Sequence, residues 1–213
     1  TDNVTILFDV GLNKQQTDPS PLLHNMKRLD VAIEEIDKIV ISHPHGDHVG
    51  GGKWREQNTF SLTTQQLDLG QREVFTPIPK TYPGLDPIYT PNPTKIAEGV
   101  VTIGVIDCPM FYALVPEQAI AINVEDKGIV IISGCGHQTI ERIVQRAKVL
   151  FEEPIYGLLG GFHLPISIGR NIGKGYQYFI TNRRPWIPLT NIEVSDKINL
   201  LKQAGIQVVG ISG

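Results

Sequence analysis

The sequence predicts an α/β fold in which helices cover sheets. Two strand–helix–strand passages and a closing helix–strand pair carry that prediction. In the first passage, Ile6-Leu7-Phe8 reads as a strand that ends at Asp9-Val10-Gly11. The next helix starts with Ser20 as N-cap and Pro21 at its first position, where a missing N–H costs nothing. Leu22, Leu23, Met26 and Leu29 then recur at helical spacing. Residues Ile36 to Ser42 read as a buried strand centred on Ile39-Val40-Ile41. In the second passage, strand Gly128–Ser133 leads into a helix with Ile140, Ile143, Val144, Ala147 and Leu150 on one face. Ile155 to Leu159 is the strand that follows. The closing helix is expected from Ser195, through Ile198 and Leu201, to Gly205 as its stop, with a strand at Val208-Val209 behind it.

Residues 53–116 are rich in Gln, Thr and Pro, with short extended runs at Glu73–Thr76 and Val100–Asp107. This segment and residues 164–195 are expected to be irregular and to cover a site, because function-bearing connections run over the surface; for residues 53–116, pairing along a sheet edge or a plain surface β-meander is the alternative.

Length and composition frame a single domain over residues 1–213. Hydrophobic residues make up 41% and charged residues 19%, the balance of an ordinary globular domain. The net charge of −3 gives no global pull toward nucleic acid or an anionic membrane. No apolar stretch reaches the length of a transmembrane helix. Cys108 and Cys135 form no disulfide framework and suit a reducing compartment, which favours the cytoplasm.

The chemistry concentrates in residues 42 to 52, Ser-His-Pro-His-Gly-Asp-His-Val-Gly-Gly-Gly. His43, His45, Asp47 and His48 offer the imidazole nitrogens and the carboxylate that Zn²⁺, Fe and Mn²⁺ accept. Pro44 biases His43 to an extended conformation, so His43 and His45 can point the same way. Gly46 permits a bend after which Asp47 and His48 can face a second ion. An exposed polar loop is the competing reading of the same run.

The run matches the His-x-His-x-Asp-His signature of the metallo-β-lactamase superfamily, and Ile6-Leu7-Phe8-Asp9-Val10-Gly11 resembles that superfamily's strand ending in Asp-x-Gly. Glu117-Gln118-Ala119-Ile120-Ala121-Ile122, Ser133-Gly134-Cys135-Gly136-His137 and Gly160-Gly161-Phe162-His163-Leu164 resemble its dihydropterin–ribofuranosylaminobenzene-phosphate synthase-like branch, many of whose members are described only as metal-dependent hydrolases. The resemblance implies an αββα sandwich of two mixed sheets flanked by helices. Against that pattern the chain reads as truncated at both ends.

No histidine lies between 49 and 136, so the position many superfamily members give to a third ligand of the first ion is not filled in the usual way. His137, after a flexible turn at a strand's carboxyl end, replaces it, and the branch resemblance places a ligand there; capping of the following helix is the alternative. Where much of the superfamily has a carboxylate bridging two ions, this chain has Cys135, assigned beside the site with direct ligation as the alternative. His163 is expected either to ligate the second ion or to donate a proton to substrate, with a satisfied structural histidine as the alternative. Asp9 is expected below the ligand loop, fixing a histidine tautomer, with a turn-capping aspartate as the alternative. His24, on the first helix without a ligand neighbour, reads as a boundary residue.

One or two divalent ions are therefore expected, zinc first, with iron or manganese compatible. His43, His45 and His137 would hold one ion; Asp47, His48 and His163 would serve the other. A metal-bound water made acidic enough to act as hydroxide suits hydrolysis of an ester, thioester, lactone or phosphoester, with Asp47 orienting the water or taking its proton. A pterin-type condensing synthase or other non-hydrolytic metalloenzyme, and a non-catalytic metal-stabilised binding module, are the alternatives. Residues 164–192 hold Arg170, Lys174, Arg183 and Arg184 among aromatic residues and contain no acidic residue. Arginine forks suit phosphate and carboxylate, so Arg183 and Arg184 point to a small anionic substrate; a solvated basic loop, or one used in oligomer contacts, is the alternative. Nucleic acid and membrane are not expected partners, and a homo-oligomer is compatible with the sequence.

Overall fold

The computed structural model describes residues 4–109, 114–162, 164 and 189–211. The chain divides into two compact units, Thr1–Pro93 and Thr94–Gly213, each with its own sheet.

In the first unit, β1 (Ile6–Phe8), β2 (Lys38–Val40), β3 (Glu73–Thr76) and β4 (Ile88–Tyr89) lie side by side in that order, all parallel. Ile6 pairs with Lys38 and Phe8 with Val40, so β1 and β2 end together. The expected strand Ile36–Ser42 is shorter as a ladder, but Ile41 extends it with an N–H donated to the Phe75 carbonyl. Helix α1 (Pro21–Arg28) starts as the sequence indicates: the Ser20 hydroxyl accepts the Leu23 N–H at 3.2 Å and donates to the Leu62 carbonyl at 2.6 Å. That second bond ties the helix start to the loop behind it. Leu29, counted on the apolar face from spacing, is the C-cap and is 74% exposed, because the helix ends one residue too early to carry it inward. A short α2 (Gly52–Glu56) follows the histidine loop and buries Trp54. Ile39, Ile41, Val49, Phe60, Leu62 and Val74 form the core beside Met26 of α1. Burial of each such large side chain is worth about 1.5–3 kcal/mol.

The second unit contains β5 (Thr94–Ala97), β6 (Val100–Pro109), β7 (Leu114–Val124), β8 (Gly128–Ile132), α3 (Ile140–Leu150), β9 (Ile155–Gly160), α4 (Asn191–Gln203) and β10 (Val208–Ile211). Its sheet runs β10-β9-β8-β7-β6-β5, parallel among β8, β9 and β10 and antiparallel elsewhere. Ile140, Ile143, Val144 and Ala147 of α3 are buried as their spacing requires, against Ile103, Ile131 and Leu158 of the strands.

Two elements differ from expectation for physical reasons. Helix α4 begins at Asn191, not Ser195, because Thr190 and Glu193 form a capping box: Thr190 Oγ1 accepts the Glu193 N–H at 3.2 Å, and Glu193 accepts the Thr190 N–H at 2.8 Å. Apolar spacing missed that start because Ile192 in the first turn is 73% exposed. Residues 53–116, expected to be irregular or to pair along a sheet edge, hold most of α2 and strands β3 to β6, with β4 and β5 at the edges of the two sheets. The two extended runs read from sequence are β3 and β6. The latter lies inside the six-stranded sheet rather than over its surface.

Candidate metal centre

The histidine loop leaves the carboxyl end of β2 and is clamped along the segment that follows β1. The Asp9 N–H donates to the Val40 carbonyl at 2.8 Å, Val10 to His48 at 3.1 Å, and Gly50 to Gly11 at 2.9 Å. The His48 N–H closes the loop on the His45 carbonyl at 3.0 Å. Glycine is needed at Gly50, where φ is +96° and a Cβ would lie 2.3 Å from the Ser61 carbonyl oxygen. At Gly46 the reason is proximity more than backbone freedom: a Cβ there would come within 3.2 Å of Gly52 N and 3.3 Å of Gly51 C.

The rings converge as the spacing requires. His43 and His45 have centroids 4.7 Å apart, and His43 and His48 4.0 Å. Ligand atoms of His43 lie within 4.8 Å of one from His45 and one from His48. His43 is fully buried, His45 and His48 are half-buried, and Asp47 is the exposed member. Asp47 Oδ2 stands 3.5 Å from His48 Nε2. Burial opposes ionisation of Asp47, but the hydrogen bond and charge of His48 and the charge of His45 outweigh it and bring its pKa down to about 2. Asp47 is thus a carboxylate at neutral pH, as a ligand or base must be.

Asp9 holds the loop from below. It sits in the left-handed region at φ +62°, which an aspartate tolerates better than most residues. Its Oδ1 accepts the Ser42 N–H at 2.7 Å, and its Oδ2 lies 2.7 Å from both the Ser42 hydroxyl and His48 Nδ1. These contacts set Asp9 against Ser42 and His48, at the start and the end of the histidine loop.

In the second unit the turn after β8 presents Cys135 and His137, both buried. Glu117 of β7, itself fully buried, organises that turn: its Oε1 accepts the Gly136 N–H at 2.9 Å and its Oε2 the His137 N–H at 2.7 Å. The Ser133 hydroxyl lies 3.3 Å from the same carboxylate. A glycine is required at Gly136, where φ is +71° and a Cβ would lie 2.8 Å from the Phe162 Cα. Thr139, two residues beyond His137, is the N-cap of α3. His163, Arg183 and Arg184 lie outside the described residues.

Sequence reasoning missed Ser42 and Glu117. Glu117 carried a signal: an acid inside the apolar run of β7 must be partnered if buried. Ser42 carried none beyond its place before His43.

The donor set fits a divalent ion. Imidazoles and a carboxylate are gathered in one loop, and the ring nitrogen of His48 that faces Asp9 is Nδ1, so Nε2 is the nitrogen it would offer to an ion.

The fold and this loop define a class, and the chain belongs to the metallo-β-lactamase superfamily, whose family model matches residues 1–59. It is 30% identical over 204 residues to the uncharacterized protein MJ0448 of Methanocaldococcus jannaschii, covering 84% of this chain and 75% of that one. It is 28% identical over 198 residues to the 7,8-dihydropterin-6-methyl-4-(β-D-ribofuranosyl)-aminobenzene-5′-phosphate synthase of the same organism, covering 75% of this chain. The chain spans 65% of the length of that synthase. Among solved structures it resembles Tm1679, a metal-dependent hydrolase of the β-lactamase superfamily, with a TM-score of 0.57 at 18% identity over 96% of this chain and 76% of that one. The fold is accordingly of the metallo-β-lactamase-like α/β class, with one all-parallel and one mixed sheet among the described residues, each accompanied by helices.

Proposed function

We propose that the chain is a metal-dependent hydrolase of small anionic esters, thioesters, lactones or phosphoesters, with both units belonging to one metallo-β-lactamase-type domain. The observation that carries this reading is the convergence of His43, His45 and His48, with an ionised Asp47 in the same loop. In it, His43, His45 and His137 hold one ion, while Asp47, His48 and His163 serve a second; zinc suits the set, and iron or manganese fit the same donors. Such an ion supplies Lewis acidity and lowers the pKa of a coordinated water. Asp47, exposed and already ionised, would be the carboxylate that orients a nucleophilic water and accepts its proton. Asp9 fixes the loop, and Cys135 stands beside the ligands as a small apolar neighbour. His163 protonates the leaving group if it is not a ligand. Arg183 and Arg184 grip the anionic end of the substrate.

The cytoplasm suits two free cysteines. Among the described residues, no helix is long and apolar enough to cross a membrane.

A second reading, a pterin-type condensing synthase, is favoured by the similarity to the dihydropterin-forming enzyme. A panel of aryl ester, thioester, lactone and phosphodiester substrates, run with zinc and with manganese on wild type and His45→Ala, separates the readings. Hydrolysis lost in His45→Ala supports the first. No turnover of any of them by a metal-loaded chain rejects it.

A further inference from the structure

Ser42 occupies a position that neither the motif nor the proposed ligand set explains. It is fully buried, and its hydroxyl oxygen lies 2.7 Å from Asp9 Oδ2 and 2.8 Å from His43 Nδ1. Counting protons fixes the direction of each bond. A carboxylate oxygen only accepts, and a hydroxyl has a single proton to donate. If that proton went to His43, two lone-pair-bearing oxygens would face each other at 2.7 Å across the Ser42–Asp9 contact. The Ser42 O–H therefore donates to Asp9 Oδ2, and His43 Nδ1 must be the donor to Ser42 Oγ. The same carboxylate oxygen takes His48 Nδ1–H directly, at 2.7 Å.

We infer that Ser42 is a positioning residue that, together with Asp9, sets both His43 and His48 in the Nδ1–H tautomer, so that each presents the lone pair of Nε2. A single carboxylate thereby prepares a ligand of each proposed ion: His48 by direct contact, His43 through the Ser42 hydroxyl. The Ser42 N–H donated to Asp9 Oδ1 at 2.7 Å keeps the carboxylate from rotating out of this arrangement. In the metal-free chain this preorganisation removes the choice of tautomer before a cation arrives.

The inference rests on the proposed ligand roles only for its effect on metal affinity; the tautomers are testable without metal. The metal-free chain with ¹⁵N-labelled histidine is read by NMR at a pH where imidazoles are neutral. The expected wild-type result is a proton on Nδ1 of both His43 and His48. In Ser42→Ala, His43 loses that single tautomer while His48 keeps it, and zinc affinity falls about 10- to 100-fold. Ser42→Thr, which keeps the hydroxyl, retains the wild-type His43 signature. A merely structural role would lower the melting temperature of Ser42→Ala and leave His43 as Nδ1–H, and that result overturns the inference. So does a wild-type proton on His43 Nε2, which needs no variant to fold. If the chain binds no zinc yet shows both tautomers, the hydrolase reading fails and this one stands.

Discussion

Replacement of Glu117 by Gln tests how the His137 turn is built. Glu117 has both carboxylate oxygens committed to donors: Oε1 to Gly136 N–H at 2.9 Å, and Oε2 to His137 N–H at 2.7 Å. Glutamine keeps one oxygen and puts an NH₂ where the other stood. In either orientation one backbone N–H then faces another donor in a fully buried place. Loss of a charge-assisted hydrogen bond costs about 1.5–3 kcal/mol, and a stranded buried N–H about 1–3 kcal/mol. The easier burial of a neutral amide offsets part of this. The net expectation is about 2–4 kcal/mol of destabilisation, and about 5–15 °C in Tm for a chain of this size. Urea titration and thermal melting of the metal-free wild type and Glu117→Gln measure it. A variant within about 0.5 kcal/mol of wild type, the range of an ordinary surface substitution, would refute the reasoning that this carboxylate organises the turn.

Gly136→Ala is expected to cost about 3 kcal/mol or more, since the left-handed conformation costs about 1–2 kcal/mol and contact with the Phe162 backbone adds overpacking; denaturant midpoints check it. Lys80 is buried with its ammonium 3.4 Å from the Thr59 carbonyl, and burial lowers its pKa to about 8. The unfolded chain binds the Lys80 proton up to about pH 10.5 and the folded chain only to about 8, so this residue's penalty is full below pH 8 and disappears as pH rises to 10.5. Lys80→Met should therefore stabilise the fold by about 1–2 kcal/mol at pH 7, with the gain shrinking between pH 8 and 10.5. Paired melts across that range would show a constant gain if burial of the charge were not the cause.

The sequence made the histidine loop legible because a metal site needs several ligands close together, and here one short segment supplies them. The α1 start was equally plain, since Ser20-Pro21 satisfies local backbone demands that do not depend on the rest of the chain. What stayed hidden were interactions made across the fold. Ser42 gains its meaning only when β1 and β2 end side by side and bring Asp9 to it, and Glu117 only when β7 lies along β8. Strand β6 is legible as an extended run, but its burial is set by β5 and β7 on either side of it, which the run itself does not encode. The α4 start is obscured for the opposite reason: its Thr190–Glu193 capping box is local, but the apolar periodicity of the helix begins a turn later.

The central claim is that this loop is built to hold a divalent ion, and metal stoichiometry tests it most directly. Wild type and His45→Ala, purified without chelator, are dialysed against equal zinc and analysed for bound metal by elemental analysis, with circular dichroism as the check on folding. The account predicts one or two zinc ions per wild-type chain and a loss of at least one in a folded His45→Ala. Equal metal content in the two proteins, or none in wild type, would contradict it.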